Sequence, residues 1–104
     1  MGLPNPVARI ATPDDRVLDY DRASGGDRYR LYDIVFAKRG LDDVQLREVE
    51  GMLDDKGVVL VLDGDSDGLS RHFIRSGVIG GVAFGKGPRN PEEARIESEE
   101  YRRG

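Results

Sequence analysis

The five consecutive apolar residues Val58-Val59-Leu60-Val61-Leu62 leave this chain few folds to choose from. The run does not alternate, and it is bounded by Gly57 on one side and Asp63 on the other. It is too short for a helix and reads as a strand buried on both faces. Such strands belong to parallel sheets, and parallel neighbours need a crossover segment between them.

Both missing parts lie just upstream. Tyr29 to Lys38 is rich in aromatic and β-branched residues and predicts a second strand. Tyr32, Ile34 and Phe36 fall on one face of it, and Leu31, Asp33, Val35 and Ala37 on the other. Asp33, a carboxylate on a mostly apolar face, demands a partner. Residues 42–55 predict a helix, with Asp42 or Asp43 as N-cap and Gly57 as the stop. Spacing of 100° per residue gathers Leu46, Val49, Met52 and Leu53 into an arc of about 120° and puts Asp43, Arg47, Glu50 and Asp54 opposite. Strand 29–38, helix 42–55 and strand 58–62 therefore read as one right-handed βαβ unit.

The flanking segments are weaker. Val7 to Ala11 and Arg16 to Tyr20 predict a hairpin turned at Thr12-Pro13-Asp14-Asp15. Leu69, Phe73 and Ile74 suit a short helix within 67–76, with Asp67 as its cap. Val78 to Phe84 is either one strand with close backbone approach at Gly80-Gly81 or a tight hairpin turned by those glycines. The expected architecture is α+β, or a small α/β fold, with a mixed sheet of four or five strands and one main helix on one face. Residues 1–87 form a single domain with 1–6 as an extended arm, and 88–104 form a charged tail or exposed helix. Ala94, Ile96 and Tyr101 are too few to bury much there. One helix is thin cover for a sheet whose central strand is apolar on both sides. The second face needs cover from 67–76, from the tail or from another chain.

Charge and composition exclude several functions. The chain has 104 residues, with 20 acidic and 16 basic side chains interspersed and a net charge of −4, which disfavours a nucleic-acid partner. It has no cysteine, hence no disulfide, no thiolate metal site and no Cys nucleophile. No apolar stretch approaches the length of a bilayer span, and Met1-Gly-Leu-Pro-Asn-Pro lacks the basic and apolar regions of a secretory leader. A cytoplasmic protein is expected.

The chemistry concentrates where the apolar run ends. Asp63, Asp65 and Asp67 alternate with Gly64, Ser66 and Gly68, matching the first half of an EF-hand calcium loop. The twelfth position of that loop should be a bidentate Glu and is Ile74; the ninth is Arg71. Position gives a second reading, since ligands bind beyond the carboxyl ends of parallel strands. There Asp43, or Asp42, can share a cation with Asp63 and Asp65, with Mg or Ca as the candidate ions. An apolar strand running into Asp-x-Asp resembles the first motif of haloacid-dehalogenase phosphatases, and also the Asp-x-Asp of Toprim domains, where carboxylates hold magnesium. The first family has Thr or Val after its second aspartate; the second has Glu-Gly where this chain has Lys38-Arg39-Gly40. The bland alternative is a solvated turn. Gly80 to Gly87 fits Gly-x4-Gly-Lys, but Gly87 replaces the P-loop hydroxyl and Pro88 blocks the helix that must follow. The sole histidine, His72, is flanked by Arg71 and Arg75, a candidate anion or partner contact.

No catalytic constellation is complete. The reading that follows is a small protein-binding module, regulatory or inhibitory, without catalytic activity, whose partner is another protein or a second copy. The alternatives are a divalent-cation module or Mg-dependent phosphoryl-transfer enzyme on Asp63, Asp65 and Asp67, and an acidic nucleic-acid mimic. The mimic requires Asp43, Glu50 and Asp54 to join the aspartate turn in one negative surface.

Overall fold

A computed structural model describes the backbone of residues 2–65 and 67–103 and the side chains of 2–65 and 67–97. The described residues form a mixed five-stranded sheet in the order β1-β2-β3-β5-β4. Its strands are β1 (Val17–Asp19), β2 (Tyr32–Ala37), β3 (Leu53–Val61), β4 (Phe73–Ile79) and β5 (Val82–Pro88). β1, β2 and β3 run parallel, and the β4–β5 hairpin joins antiparallel to β3. The helices are α1 (Asn5–Ala8), α2 (Asp43–Met52), α3 (Leu69–His72) and α4 (Pro91–Arg103).

The βαβ unit β2-α2-β3 is present, with β2 and α2 shorter than the sequence predicts and β3 longer, beginning at Leu53 rather than Val58. Asp42 caps α2 through a reciprocal capping box: its side chain accepts from the Gln45 N–H at 2.8 Å, and Gln45 returns a bond to the Asp42 N–H at 3.0 Å. The helix ends at Met52, not at residue 55, because Leu53 is already extended and pairs with Tyr32. Gly57 is thus inside β3 rather than a helix stop. After Leu53 the register jumps to Val58 opposite Ile34, which leaves the exposed Asp54, Asp55 and Lys56 as an irregularity. The same shift turns Tyr32 away from Ile34 and Phe36, so Tyr32 joins the core of Val35 and Ala37. Asp33 has its partner: its Oδ2 accepts the Arg16 N–H at 2.8 Å, tying β1 to β2.

The register sorts the two faces. Leu18, Val35, Val59, Gly85 and Ser76 form one row across five strands, on the face that α2 covers with Leu46, Val49 and Met52. The neighbouring rows, Val17-Ile34-Val58-Lys86-Arg75 and Asp19-Phe36-Leu60-Phe84-Gly77, point to the other face. Leu46, Val49, Met52 and Leu53, the predicted apolar arc, are all essentially fully buried.

Two further predictions are corrected. Residues 7–20 are not a hairpin, since Asn5–Ala8 is a helical turn started by Pro6 and β1 pairs in parallel with β2 instead. For the same reason the extended arm stops at Pro4. Residues 91–103 form a helix that docks through small residues: a Cβ built on Gly51 of α2 would lie 3.3 Å from Ala94, which is buried. Arg95 then donates to the carbonyls of Gly51 and Leu53, satisfying the C-terminus of α2 without a glycine cap. Tyr101 lies outside the described side chains. Of the two readings for 78–84 the tight hairpin is correct; Gly80 and Gly81 both have positive φ, +57° and +79°, as a two-residue turn between twisted strands requires.

Candidate functional site

The carboxyl ends of β1, β2 and β3 lie side by side, and the chain's aspartates collect on the loops that leave them. Their oxygens are engaged with backbone. Asp21 accepts the Lys38 N–H at 2.9 Å. Asp63 accepts the Gly40 N–H through Oδ2 and the Asp65 N–H through Oδ1, each at 3.0 Å, and Asp65 in turn accepts the Asp67 N–H at 3.1 Å. These are self-bonded aspartate turns, with Gly64 and Gly68 in the left-handed region at φ +80° and +87°. Gly40 has no side chain because the Asp65 carboxylate occupies the space a Cβ would take. Asp67 is on the exposed approach to α3, and Ser66 between them lies outside the described residues.

Asp43 is not part of this group. It belongs to the first turn of α2, and its Oδ1 accepts from Arg71 at 2.9 Å and bonds His72 Nε2 at 3.1 Å. Those two bonds hold its carboxyl below the usual carboxylate range. Among the described residues no group of three or more His, Asp or Glu side chains is placed to hold a metal ion.

The predicted trio also divides. Arg71 and His72 stand on α3, while Arg75 is on β4, opposite Lys86 and on the far face of the sheet. His72 is the hinge of a second network that the sequence conceals. Its Nδ1 is 2.7 Å from Glu50 Oε2, and Glu50 is only 1% exposed. Glu50 Oε1 accepts the Asn90 N–H at 2.8 Å, and Arg47 approaches Oε2 at 3.5 Å. Arg47 reaches on to Glu97 and Glu93 of α4. The Glu97 carboxyl is held low by this guanidinium, and Arg47 is pushed up in return. Thus Glu50 pins α3 and the start of α4 to α2. With both ring nitrogens bound to carboxylates, His72 has no free nitrogen to take a proton from a substrate. Burial of Glu50 also interrupts the surface that a nucleic-acid mimic would need.

The placement of Glu50 opposite the apolar arc is thereby corrected: at 100° per residue it falls about 40° from Leu46, on the flank of the arc, and the side chain is buried.

The remaining feature is on the other face of the sheet. There Val7 of α1 joins Ile34, Phe36 and Leu60 in a second core cluster, and among the described residues no other helix contributes a side chain to it. Beside α1 the face stays open as a groove of about 460 Å³. Its floor is Val58, Leu60 and Phe84; one wall carries Arg9 and Ile10, and the other Ile79 and Val82. Ile79 is 73% exposed and Ile10 48%. No family model matches this chain, and neither a curated protein nor a solved structure is similar to it.

Proposed function

We propose that the protein is a non-catalytic binding module that docks a partner protein on the open face of its sheet, in keeping with a regulatory or inhibitory role. One observation carries this reading. The face bears an apolar groove walled by Ile10 and Ile79, and among the described residues the two segments expected to cover it, 67–76 and the C-terminal helix, are engaged elsewhere. Segment 67–76 builds α3 and enters β4, and α4 docks on α2 against the opposite side of the molecule. Large apolar residues in contiguous exposure mark interaction sites. A cavity of this size is within the range that binding sites occupy. The aspartate loop and the His72 network support the reading from the other direction, because their polar atoms are engaged in holding the fold.

The test is capture from the source cells with the full chain as bait, beside Ile10→Glu and Ile79→Glu, with light scattering on the purified protein. Both positions are exposed, so the variants fold. The expected result is a stoichiometric companion, foreign protein or second copy, that the wild type retains and both variants lose. A wild type that stays monomeric and retains nothing the variants release refutes the proposal.

A further inference from the structure

We propose that the groove receives an acidic amphipathic segment of the partner, its apolar side on Leu60, Val82 and Phe84 and its carboxylates at Arg9, Arg75 and Lys86. This rests on the reading of the open face as a docking surface. The argument is charge complementarity. The chain carries a net charge of −4, yet no residue lining the groove is acidic and Arg9 stands in its wall. The cross-strand row that enters the groove at Val58 continues into Lys86 and then Arg75. Directly opposed like charges in a sheet are unfavourable. Even so, the side chains of Arg9, Arg75 and Lys86 have no hydrogen bond or ion pair among the described residues. Elsewhere among the described residues Arg16, Arg22, Arg28 and Arg71 each meet a carboxylate, whereas the exposed Lys38, Arg39 and Lys56 do not; what sets Arg9, Arg75 and Lys86 apart is their place beside the apolar groove. Three unpaired cations round an apolar trough in an acidic protein are matched by an occupant that brings the acids.

The same charges argue against a second copy. An isologous dimer through this face would bring the Arg9, Arg75 and Lys86 of both copies onto one interface, with no carboxylate lining the groove to offset them. The dimensions favour a segment over a flat surface. From the row of Val58 to the row of Val82 the groove runs four residues along the sheet, roughly 13 Å, which accommodates two to three turns of helix.

The experiment uses the full chain and three helical peptides that share one leucine face and carry Glu, Gln or Lys at every other position, read by fluorescence anisotropy. Three exposed ion pairs predict that the Glu peptide binds about tenfold more tightly than the Gln peptide, and the Lys peptide more weakly than either. The preference shrinks as salt rises, and it reverses towards the Lys peptide in Arg9→Glu/Arg75→Glu/Lys86→Glu, all three sites being exposed. Equal binding of the Glu and Gln peptides overturns the inference and leaves the docking face standing. Failure of all three peptides, with an Ile79→Glu-sensitive companion still captured from cells, overturns it in the same way. Concentration-dependent dimerisation lost in Ile79→Glu overturns it in favour of self-association. If neither peptide nor companion is bound, the docking face itself fails.

Discussion

Glu50 is the side chain on which the helical layer depends, and its removal is the sharpest test of the fold. Glu50→Ala strips the partner from the Asn90 N–H, now at 2.8 Å, and from His72 Nδ1, now at 2.7 Å, and releases Arg47 from its inner contact. Each buried donor left unpaired costs about 1–3 kcal/mol. Breaking a buried charged pair as a whole costs about 3–5 kcal/mol. A domain of this size has about 5–15 kcal/mol in total, so the variant loses a large share of its stability, and its Tm falls by about 15 °C or more. Glu50→Gln is milder, at about 1–2 kcal/mol, because the amide oxygen can keep Asn90 while the amide N–H₂ turns to His72 in the tautomer that donates to Asp43. The assay is urea unfolding followed by far-ultraviolet circular dichroism, since the chain has no tryptophan. A double-mutant cycle with His72→Ala should give a coupling of about 2 kcal/mol. A Glu50→Ala cost below about 1 kcal/mol, or no coupling to His72, refutes the account of this carboxylate as the clamp between α2, α3 and α4.

Gly85→Ala places a Cβ 2.7 Å from the ring of the fully buried Phe73 and 3.1 Å from Val59, so it should cost about 1–3 kcal/mol, and an unchanged urea midpoint would contradict that packing. Burial, with Glu48 beside it, pushes the Tyr20 hydroxyl from 10.0 up to about 12, so its contribution is complete below pH 10 and fades as pH rises towards 12. Tyr20→Phe should flatten that alkaline slope. Asp43 and Glu97, both held below their ordinary values, contribute above those values and lose that contribution as pH falls through their lowered ones. Arg71→Ala and Arg47→Ala, measured by acid titration of stability, should weaken the acid dependence. Calorimetry with Mg²⁺ or Ca²⁺ should give no saturating heat below millimolar, since Asp63 gives both oxygens to backbone N–H groups; a tighter site abolished by Asp63→Asn would refute this.

What could be read from the sequence was whatever depended on local period. Val58 to Leu62 announces β3 by burial on both faces, and Leu46, Val49, Met52 and Leu53 find the core side of α2 from their spacing alone. Failures began where a partner distant in sequence decided the outcome. Arg16 to Tyr20 does contain a strand, but the alternation of Val7, Arg9 and Ala11 cannot reveal that β1 pairs with β2. The docking of α4 escaped a count of large apolar residues because the contact is made by Gly51 and Ala94, where smallness is what lets the backbones approach. Asp63, Asp65 and Asp67 were located correctly at the ends of the parallel strands. Their spacing cannot separate a cation loop from an aspartate turn, because both use alternate oxygens next to left-handed glycines. The groove was legible only as a deficit of cover; its walls, Ile10 and Ile79, are far apart in the sequence.

That deficit follows from the order of the strands. β1, β2 and β3 are added in one direction, and each parallel step is closed by a crossover that must be right-handed. Two right-handed steps in the same direction place both connections on the same face. The structure obeys: Tyr20 and Tyr32, from the ends of the first connection, share one core with Leu46 and Val49 of α2. Arg28, within that connection, is 2.8 Å from Glu48 of α2 and lies over the Tyr20 ring. Covering the opposite face would require the strand order to reverse, as it does in doubly wound sheets. Here the next step, from β3 to β4, is a further crossover between parallel strands in the same direction; it carries α3 over the same face, with Leu69 in the core of α2, and β5 then inserts antiparallel between β3 and β4. Among the described residues the far side is covered from before β1, by one helical turn carrying Val7 and by Ala11. An open apolar face is therefore built into this topology, and the exposed Ile10 and Ile79 stand where the proposed occupant would dock.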